Sequence, residues 1–320
     1  MTDRPERGRA SPTRRAALLG LLGTGGLAAC SGVQGPGASA PAPASGPRDR
    51  SRRSPGGPRQ SLAYWTFARA WTVEQACRVA AELGCNSVEA VQIQDWPVLK
   101  NYGLTCAFAG TIDLVTGLID AAHRDRNIAA VRADIEAYAQ WKMPDGVVFT
   151  TTGVRAGVDT DEAIGRCVDA YKQIMGLAEQ RGVTVGLEMM SSREEHRADR
   201  LVGVPDYFGD SLEVCAEIVR RVGSPRLGLV VDLYFLQVME GDLLERLRRH
   251  KDLIVHVQLA GVPERFEPDA DQEINFPVVI RELARLGYPG HIGHEFYPRG
   301  DALAGLTAAV DMVDHAWRSA

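Results

Sequence analysis

"GLVVDLYFLQ", residues 228–237, reads as a buried strand that ends on a carboxylate. Gly228, Leu229, Val230 and Val231 lead to Asp232, and Leu233, Tyr234, Phe235 and Leu236 carry the apolar run onward. A carboxylate taken out of water among such neighbours is costly unless something pairs with it. The stretch therefore raises two questions: what other strands stand beside it, and what meets Asp232.

The first question is answered by repetition. Short apolar runs recur at 61–67, 87–91, 103–109, 145–150, 183–189, 226–232, 253–259 and 291–296. Amphipathic helical patterns lie between and after them, near 72–84, 94–101, 126–141, 161–181, 211–222, 241–252, 275–287 and 301–317. Gly84, Gly182, Gly223 and Gly287 stand where helices should stop, and Asp210-Ser211 and Asn275 where helices should start. Eight strands and eight helices in strict alternation over roughly 260 residues predict a (β/α)8 TIM barrel. A doubly wound open sheet would need a glycine-rich phosphate loop after the first strand, and "FARAWT" is not one.

The barrel fills residues 61–320, and what precedes it has a different composition. Residues 1–60 hold 10 Arg and 3 Asp or Glu, whereas the remainder holds 26 Lys and Arg against 38 Asp and Glu, so a basic leader precedes an acidic body. An acidic body argues against nucleic acid as the main partner. "SPTRRAALLGLLGTGGLAAC", 11–30, has paired arginines, an apolar stretch too short to span a bilayer, and a small-residue end at Cys30. It reads as an export signal over residues 1–30, resembling a twin-arginine signal with Ala17 where a bulky apolar residue is usual. Leu27-Ala28-Ala29-Cys30 resembles a lipobox, which would make Cys30 a lipidated N-terminus and the protein periplasmic or membrane-anchored. The alternative is a soluble secreted form cut after an alanine. Residues 31–60, rich in Pro, Gly, Ala, Ser and Arg, read as a flexible linker. Cys77, Cys85, Cys106, Cys167 and Cys215 show no paired spacing for zinc and read as small buried hydrophobes.

The second question is answered at the C-terminal strand ends, where barrels of this kind carry their chemistry. The fifth strand ends in Glu188, the sixth in Asp232, the seventh in Gln258 and the eighth in Glu295. Alternation lets each face inward, with Gly186 and Gly293 leaving room beneath the two glutamates and His256 beneath Gln258. A single acid at a strand end is most often a helix cap. Three converging carboxylates cannot all stay ionised without a counter-charge, and a divalent cation supplies it. Two Glu, one Asp and one amide carbonyl form a hard oxygen set suited to Mg²⁺ or Mn²⁺ rather than zinc. Such a site could hold a 2-hydroxy carbonyl compound and stabilise an enediolate while Glu188 and Glu295 move the proton.

Three segments resemble a known family. "HVQLAGVPERFEPDADQEINF", 256–276, with "DLYFLQVMEGDL", 232–243, and "GYPGHIGHEFYP", 287–298, is similar to hydroxypyruvate isomerase and its relatives, which belong with the sugar epimerases among the xylose isomerase-like barrels. The resemblance is weak before residue 180 and strong after it. It implies that Glu188, Asp232, Gln258 and Glu295 are metal ligands and that Glu188 and Glu295 carry the proton transfers. Gln258, where other branches have His, marks the hydroxypyruvate-isomerase branch. Arg265 falls where the family has a substrate-contacting arginine, able to grip a carboxylate in a fork, although an exposed loop Arg is the bland alternative. His256 is expected to pack or to support the ligands, and His294 to face the helix layer. Glu267, Glu273 and Asn275 are expected to be structural. Tyr64, Trp65 and Phe108 could wall the pocket, with core packing the default for aromatics.

The departures bear on substrate. The family has Asp-x-Tyr-His where this chain has Phe235, and Arg-His-Glu-Pro where it has Phe266. After the fifth-strand Glu it has Pro-Leu-Asn or similar, here Met189-Met190-Ser191. A lost hydrogen bond in a buried site shifts specificity by roughly 1–3 kcal/mol. The sequence therefore supports an isomerase or epimerase of a small 2-keto acid or ketose. The competing readings are a keto-polyol dehydratase on the same metal, or a surface-anchored sugar-binding barrel that has lost turnover. The expected partners are a small keto acid or sugar, other copies in a homo-oligomer, and a membrane only through the N-terminal lipid. An endonuclease of the same superfamily would need many histidines for several zinc ions, and the chain has 7.

Overall fold

The computed structural model describes residues 56–320 apart from 144, 194, 198 and 199. The export signal, Cys30 and most of the linker lie outside the described residues.

The strands are β1 (Arg59–Ala63), β2 (Ser87–Glu89), β3 (Phe108–Ala109), β4 (Val147–Thr150), β5 (Thr184–Met189), β6 (Glu195–Arg197), β7 (Arg200–Val202), β8 (Leu227–Asp232), β9 (Ile254–Leu259) and β10 (His291–His294). Eight of them form one parallel sheet in the order β2-β1-β10-β9-β8-β5-β4-β3, and β6 and β7 make a separate antiparallel hairpin. The edges β2 and β3 meet through a parallel bridge between Ser87 and Thr105, backed by Val88 N to Thr105 O (3.1 Å) and Ala90 N to Phe108 O (2.7 Å). The sheet thus comes round into the barrel expected from the alternation, with edges joined rather than exposed.

The helices are α1 (Tyr64–Phe67), α2 (Val73–Glu82), α3 (Trp96–Asn101), α4 (Arg124–Trp141), α5 (Thr160–Arg181), α6 (Leu212–Val222), α7 (Leu233–Met239), α8 (Leu243–His250), α9 (Phe276–Arg285) and α10 (Ala302–Arg318). Their starts carry the expected chemistry in part. Asn275 accepts from Val278 N at the head of α9, whereas Ser211 occupies the position before α6 without a side-chain bond to the helix. Gly182 and Gly223 end α5 and α6 in the left-handed conformation that glycine adopts without strain. No helix among the described residues is long and apolar enough to cross a membrane.

Two corrections concern the first half. The run 61–67 is not one strand: β1 stops at Ala63 and Tyr64-Trp65-Thr66-Phe67 turn into α1, where Thr66 Oγ1 bonds back to Ala63 O at 2.9 Å. An apolar run cannot show where a strand yields to a helix, because both bury it. In 103–109 only Phe108–Ala109 is strand, and Cys106 lies before it. The five cysteines are all buried and free, and burial pushes the thiols of Cys77, Cys106 and Cys167 up to about 12. Thiols that hold their protons so firmly are unreactive.

The main core lies between sheet and helices. A small second core, Phe108, Val147 and Val230, fills the barrel's interior. Gly186 makes room for it: a Cβ there would lie 2.5 Å from Val230 Cγ2 and 2.6 Å from Val147 Cγ1. The space beneath Glu188 is therefore filled by valine.

Candidate active site

Four side chains gather at the C-terminal rim. Glu188 lies on β5, Asp232 ends β8, Gln258 lies on β9, and Glu295 follows β10 directly. The register pairs Asp232 with Gln258, while Glu188 pairs with Val230 and Gln258 with Gly293, each two positions before the next acid, the stagger of tilted barrel strands. One oxygen each from Glu188, Asp232 and Glu295 lie within 4.8 Å of one another, and all three residues are buried. The meeting of these carboxylates anticipated from strand order is the meeting observed.

Asp232 has two tasks, which answers the question posed by the apolar run after it. Its Oδ1 accepts from Tyr234 N at 2.9 Å and so caps α7. Leu233, Tyr234, Phe235 and Leu236 are the buried first turn of that helix rather than more strand. Its Oδ2 accepts from Arg265 Nη2 at 2.7 Å, and the same nitrogen donates to Glu295 Oε2 at 2.7 Å.

Arg265 is no exposed loop residue: it is 3% accessible. Its backbone sits at φ +60°, a conformation that costs a non-glycine residue about 1–3 kcal/mol. Three backbone bonds hold the turn there, Arg265 N to Gly261 O, Gly261 N to Phe266 O and Tyr297 N to Arg265 O, each 2.8 Å. Its guanidinium lies over the rings of Phe235 (4.6 Å), Tyr234 (5.1 Å) and Trp65 (5.6 Å). Burial works against this charge, but Asp232 and Glu295 outweigh it and raise the Arg265 pKa. Phe235, which stands in place of the family's His, thus gives the guanidinium a π-face. Phe266 points elsewhere, under the guanidinium of Arg299 at 5.5 Å.

The electrostatics follow from burial. Burial, then Glu295 and Asp232, push the Glu188 pKa well above its ordinary value, with Arg265 opposing. Burial pushes Glu295 up to about 8, against Arg265 and the indole of Trp65, whose Nε1 donates to Glu295 Oε1 at 2.6 Å. Among the described residues no hydrogen bond reaches the Glu188 carboxylate. Arg265 alone is too little counter-charge to keep three such carboxylates ionised together, which is why two of them hold their protons so firmly.

Other expected residues fall into place away from the rim. His294 faces the helix layer, its Nε2 2.7 Å from Gln60 Oε1, and Gln60 is held by Asp314 on α10. His256 stacks on Phe108 (centroids 5.0 Å, planes 9° apart). Glu267 accepts from Arg299 N at 2.9 Å, a structural contact. Ser191 Oγ bonds Met239 Sδ at 3.3 Å and turns away from the carboxylates.

One residue was read only as a wall, and another escaped the reading of strand ends. Trp65, 42% exposed at the mouth, is a hydrogen-bond donor to Glu295 and not only a wall. Glu89, fully buried at the end of β2, bonds Gln258 Nε2 through its Oε2 at 3.1 Å. A glutamate inside the run "SVEAV" was the available signal, since a buried strand seldom carries a charge without a partner.

Residues 77–315 match the family model described as "Xylose isomerase-like TIM barrel". The chain belongs to the xylose isomerase-like TIM barrel family. Among relatives, it is 34% identical over 152 residues to a putative hydroxypyruvate isomerase of Danio rerio, covering 48% of this chain and 51% of that one. It is 30% identical over 244 residues to a 2-oxo-tetronate isomerase of Haemophilus influenzae, covering 71% and 88%. The chain spans about half the length, or less, of the vertebrate relatives it matches. Among solved structures, one titled AP endonuclease, family 2 from Brucella melitensis superposes with a TM-score of 0.67 at 26% identity, covering 78% of this chain and 96% of that one. Membership in the xylose isomerase-like TIM barrel family accounts for the barrel.

Proposed function

We propose that this protein is a divalent-metal-dependent isomerase or epimerase of a short hydroxylated 2-oxo acid or ketose. The observation that carries the proposal is the convergence of Glu188, Asp232 and Glu295 within 4.8 Å, with Gln258 the register partner of Asp232 and its buried Oε1 without a hydrogen-bond partner among the described residues. An orphaned acceptor next to crowded carboxylates fits a cation. With all three carboxylates ionised, the charge left over after Arg265 would match one divalent ion, and the all-oxygen donors favour Mg²⁺ or Mn²⁺. Relatives named for 2-oxo-tetronate and hydroxypyruvate support a 2-oxo acid. When bound, the metal would polarise the substrate carbonyl.

The chain's own residues divide the remaining work. Arg265 and Trp65 donate to Glu295 and stabilise its ionised form, which suits it to accept the proton beside the carbonyl. Glu188, buried and without such donors, suits the role of the acid that returns a proton to the neighbouring carbon, completing passage through an enediolate. The second guanidinium nitrogen of Arg265, Nη1, makes no hydrogen bond among the described residues and is free to take a substrate carboxylate. Export, with Cys30 lipidated, is part of the same proposal and is read by the mass of the mature N-terminus.

The test is hydrogen exchange. Metal-loaded protein is incubated in deuterated water with a panel of 2-oxo acids and ketoses, and exchange next to the carbonyl is followed by NMR. Exchange with a hydroxylated 2-oxo acid, abolished in Glu188→Gln or Glu295→Gln, is the expected result. Metal-dependent binding with no exchange for any compound would replace the proposal with a binding protein. Loss of a hydroxyl with a new carbonyl would replace it with a dehydratase.

A further inference from the structure

Beneath the rim, Glu89 occupies the barrel's interior with no exposure at all. Ser61 Oγ donates to its Oε1, Gln258 Nε2 donates to its Oε2 at 3.1 Å, and His256 Nε2 lies 3.1 Å from Oε1. The His256 contact is within ionic reach but lacks hydrogen-bond alignment, since both ring nitrogens are without a hydrogen-bond partner. Gly293, the register partner of Gln258, keeps this slot open: a Cβ there would lie 2.5 Å from Glu89 Oε1 and 3.0 Å from Gln258 Cγ.

We infer that Glu89 is a positioning residue that turns the Gln258 amide so that its oxygen, and not its NH₂, faces the cation site. The inference rests on the metal reading above. A primary amide has two ends of nearly equal shape and opposite polarity, so its orientation is decided by what its neighbours can accept or donate. Both Glu89 oxygens act as acceptors here, Oε1 from Ser61 and Oε2 from Gln258, so the NH₂ end is the end that meets them. The oxygen is then turned to the other side, where it is buried and has no hydrogen-bond partner among the described residues, on a strand position paired with Asp232. The flipped amide would set its oxygen against the Glu89 carboxylate and present N–H groups to a cation, two repulsions at once. Glu89, Ser61 and Gln258 all stand on barrel strands, which hold such an arrangement more rigidly than loops.

The test uses the full chain with Glu89→Met, which removes the acceptor at similar length, and Glu89→Gln, which can turn its own oxygen toward Gln258. Mn²⁺ is titrated into each and followed by electron paramagnetic resonance, with thermal melting recorded alongside. Glu89→Met is expected to weaken Mn²⁺ binding by about 10- to 100-fold. Glu89→Gln is expected to restore it to within about threefold, because its amide can supply the same acceptor. A merely structural Glu89 would lower the melting temperature while leaving the Mn²⁺ affinity of the folded protein unchanged, and that result overturns the inference. Where Glu89→Met does not fold, Glu89→Asp replaces it: the shorter acid keeps the charge but withdraws from Gln258, and unchanged Mn²⁺ affinity there overturns the inference equally. A wild-type chain that binds no Mn²⁺ overturns the metal reading itself, whereas wild-type binding unaffected by the Glu89 variants overturns only the role of Glu89.

Discussion

The two halves of the barrel handle polar groups in opposite ways. Around β4, the buried hydroxyls are matched: Thr150 Oγ1 donates to Gly186 O at 2.7 Å and meets Tyr171 OH at 2.7 Å, and Thr151 Oγ1 bonds Tyr207 OH at 3.1 Å. Around β5, β8, β9 and β10, Glu188, Asp232 and Glu295 crowd together with a single guanidinium, and Gln258 Oε1 has no partner. Satisfied polar groups specify a fold, and unsatisfied ones wait for a ligand. The difference locates the site more sharply than the mere presence of acids, since buried Glu89 has a donor on each oxygen whereas, among the described residues, none reaches the carboxylate of buried Glu188.

The comparison can be broken most directly at the two glutamates. Glu188→Gln and Glu295→Gln should each reduce deuterium exchange by roughly 10²–10⁴-fold, the range for a lost acid or base, while thermal melting of the metal-free protein stays level or rises because a buried repulsion is removed. A fall in both activity and melting temperature would count against the assigned roles. Next comes Arg265→Ala, which strips two carboxylates of their counter-charge and should cost about 3–5 kcal/mol in urea unfolding of metal-free protein; saturating Mg²⁺ should reduce that loss.

The third effect is on pH. Glu295 is pushed from an ordinary 4.5 up to about 8, so the folded state holds its proton more tightly than the unfolded state. The resulting stability is fully present below about pH 4.5 and is lost as pH rises through about 8. Melting of metal-free protein should therefore decline across that window, and both Glu295→Gln and added divalent metal should flatten the slope. In the satisfied half, Thr150→Val should cost about 1–3 kcal/mol of stability, the price of unpaired buried groups, with exchange kinetics unaffected. The smallest effect is expected at Phe235→His, which replaces the π-face below Arg265 and should change selectivity among 2-oxo acids by roughly 1–3 kcal/mol while altering stability by about 1 kcal/mol.

Much of the site was legible because strand periodicity and strand order are sequence properties. Glu188, Asp232, Gln258 and Glu295 each end an apolar run, and a barrel has one rim where such ends meet. Glu89 was hidden because the expected run 87–91 placed it inside a strand whereas β2 ends on it, and its partners Ser61 and Gln258 lie 28 and 169 positions away along the chain. Trp65 was named only as a pocket wall, and its bond to Glu295 was missed because its run changes from strand to helix at Ala63, which an apolar pattern does not reveal. Arg265 was named for its position, but its burial and its bond to two carboxylates depend on a left-handed turn that composition does not announce.

By itself the sequence determined the alternation of eight strands with helices, and hence which residues stand at the rim, because inward and outward alternation and helix stop signals are local rules. Only the tertiary structure decided which polar atoms are satisfied. That is set by register between strands distant in the chain, such as Gln258 beside Asp232 and Gly293, and above Glu89. A hydrogen-bond partner is a matter of ångströms in space, and no spacing along a chain can supply that distance.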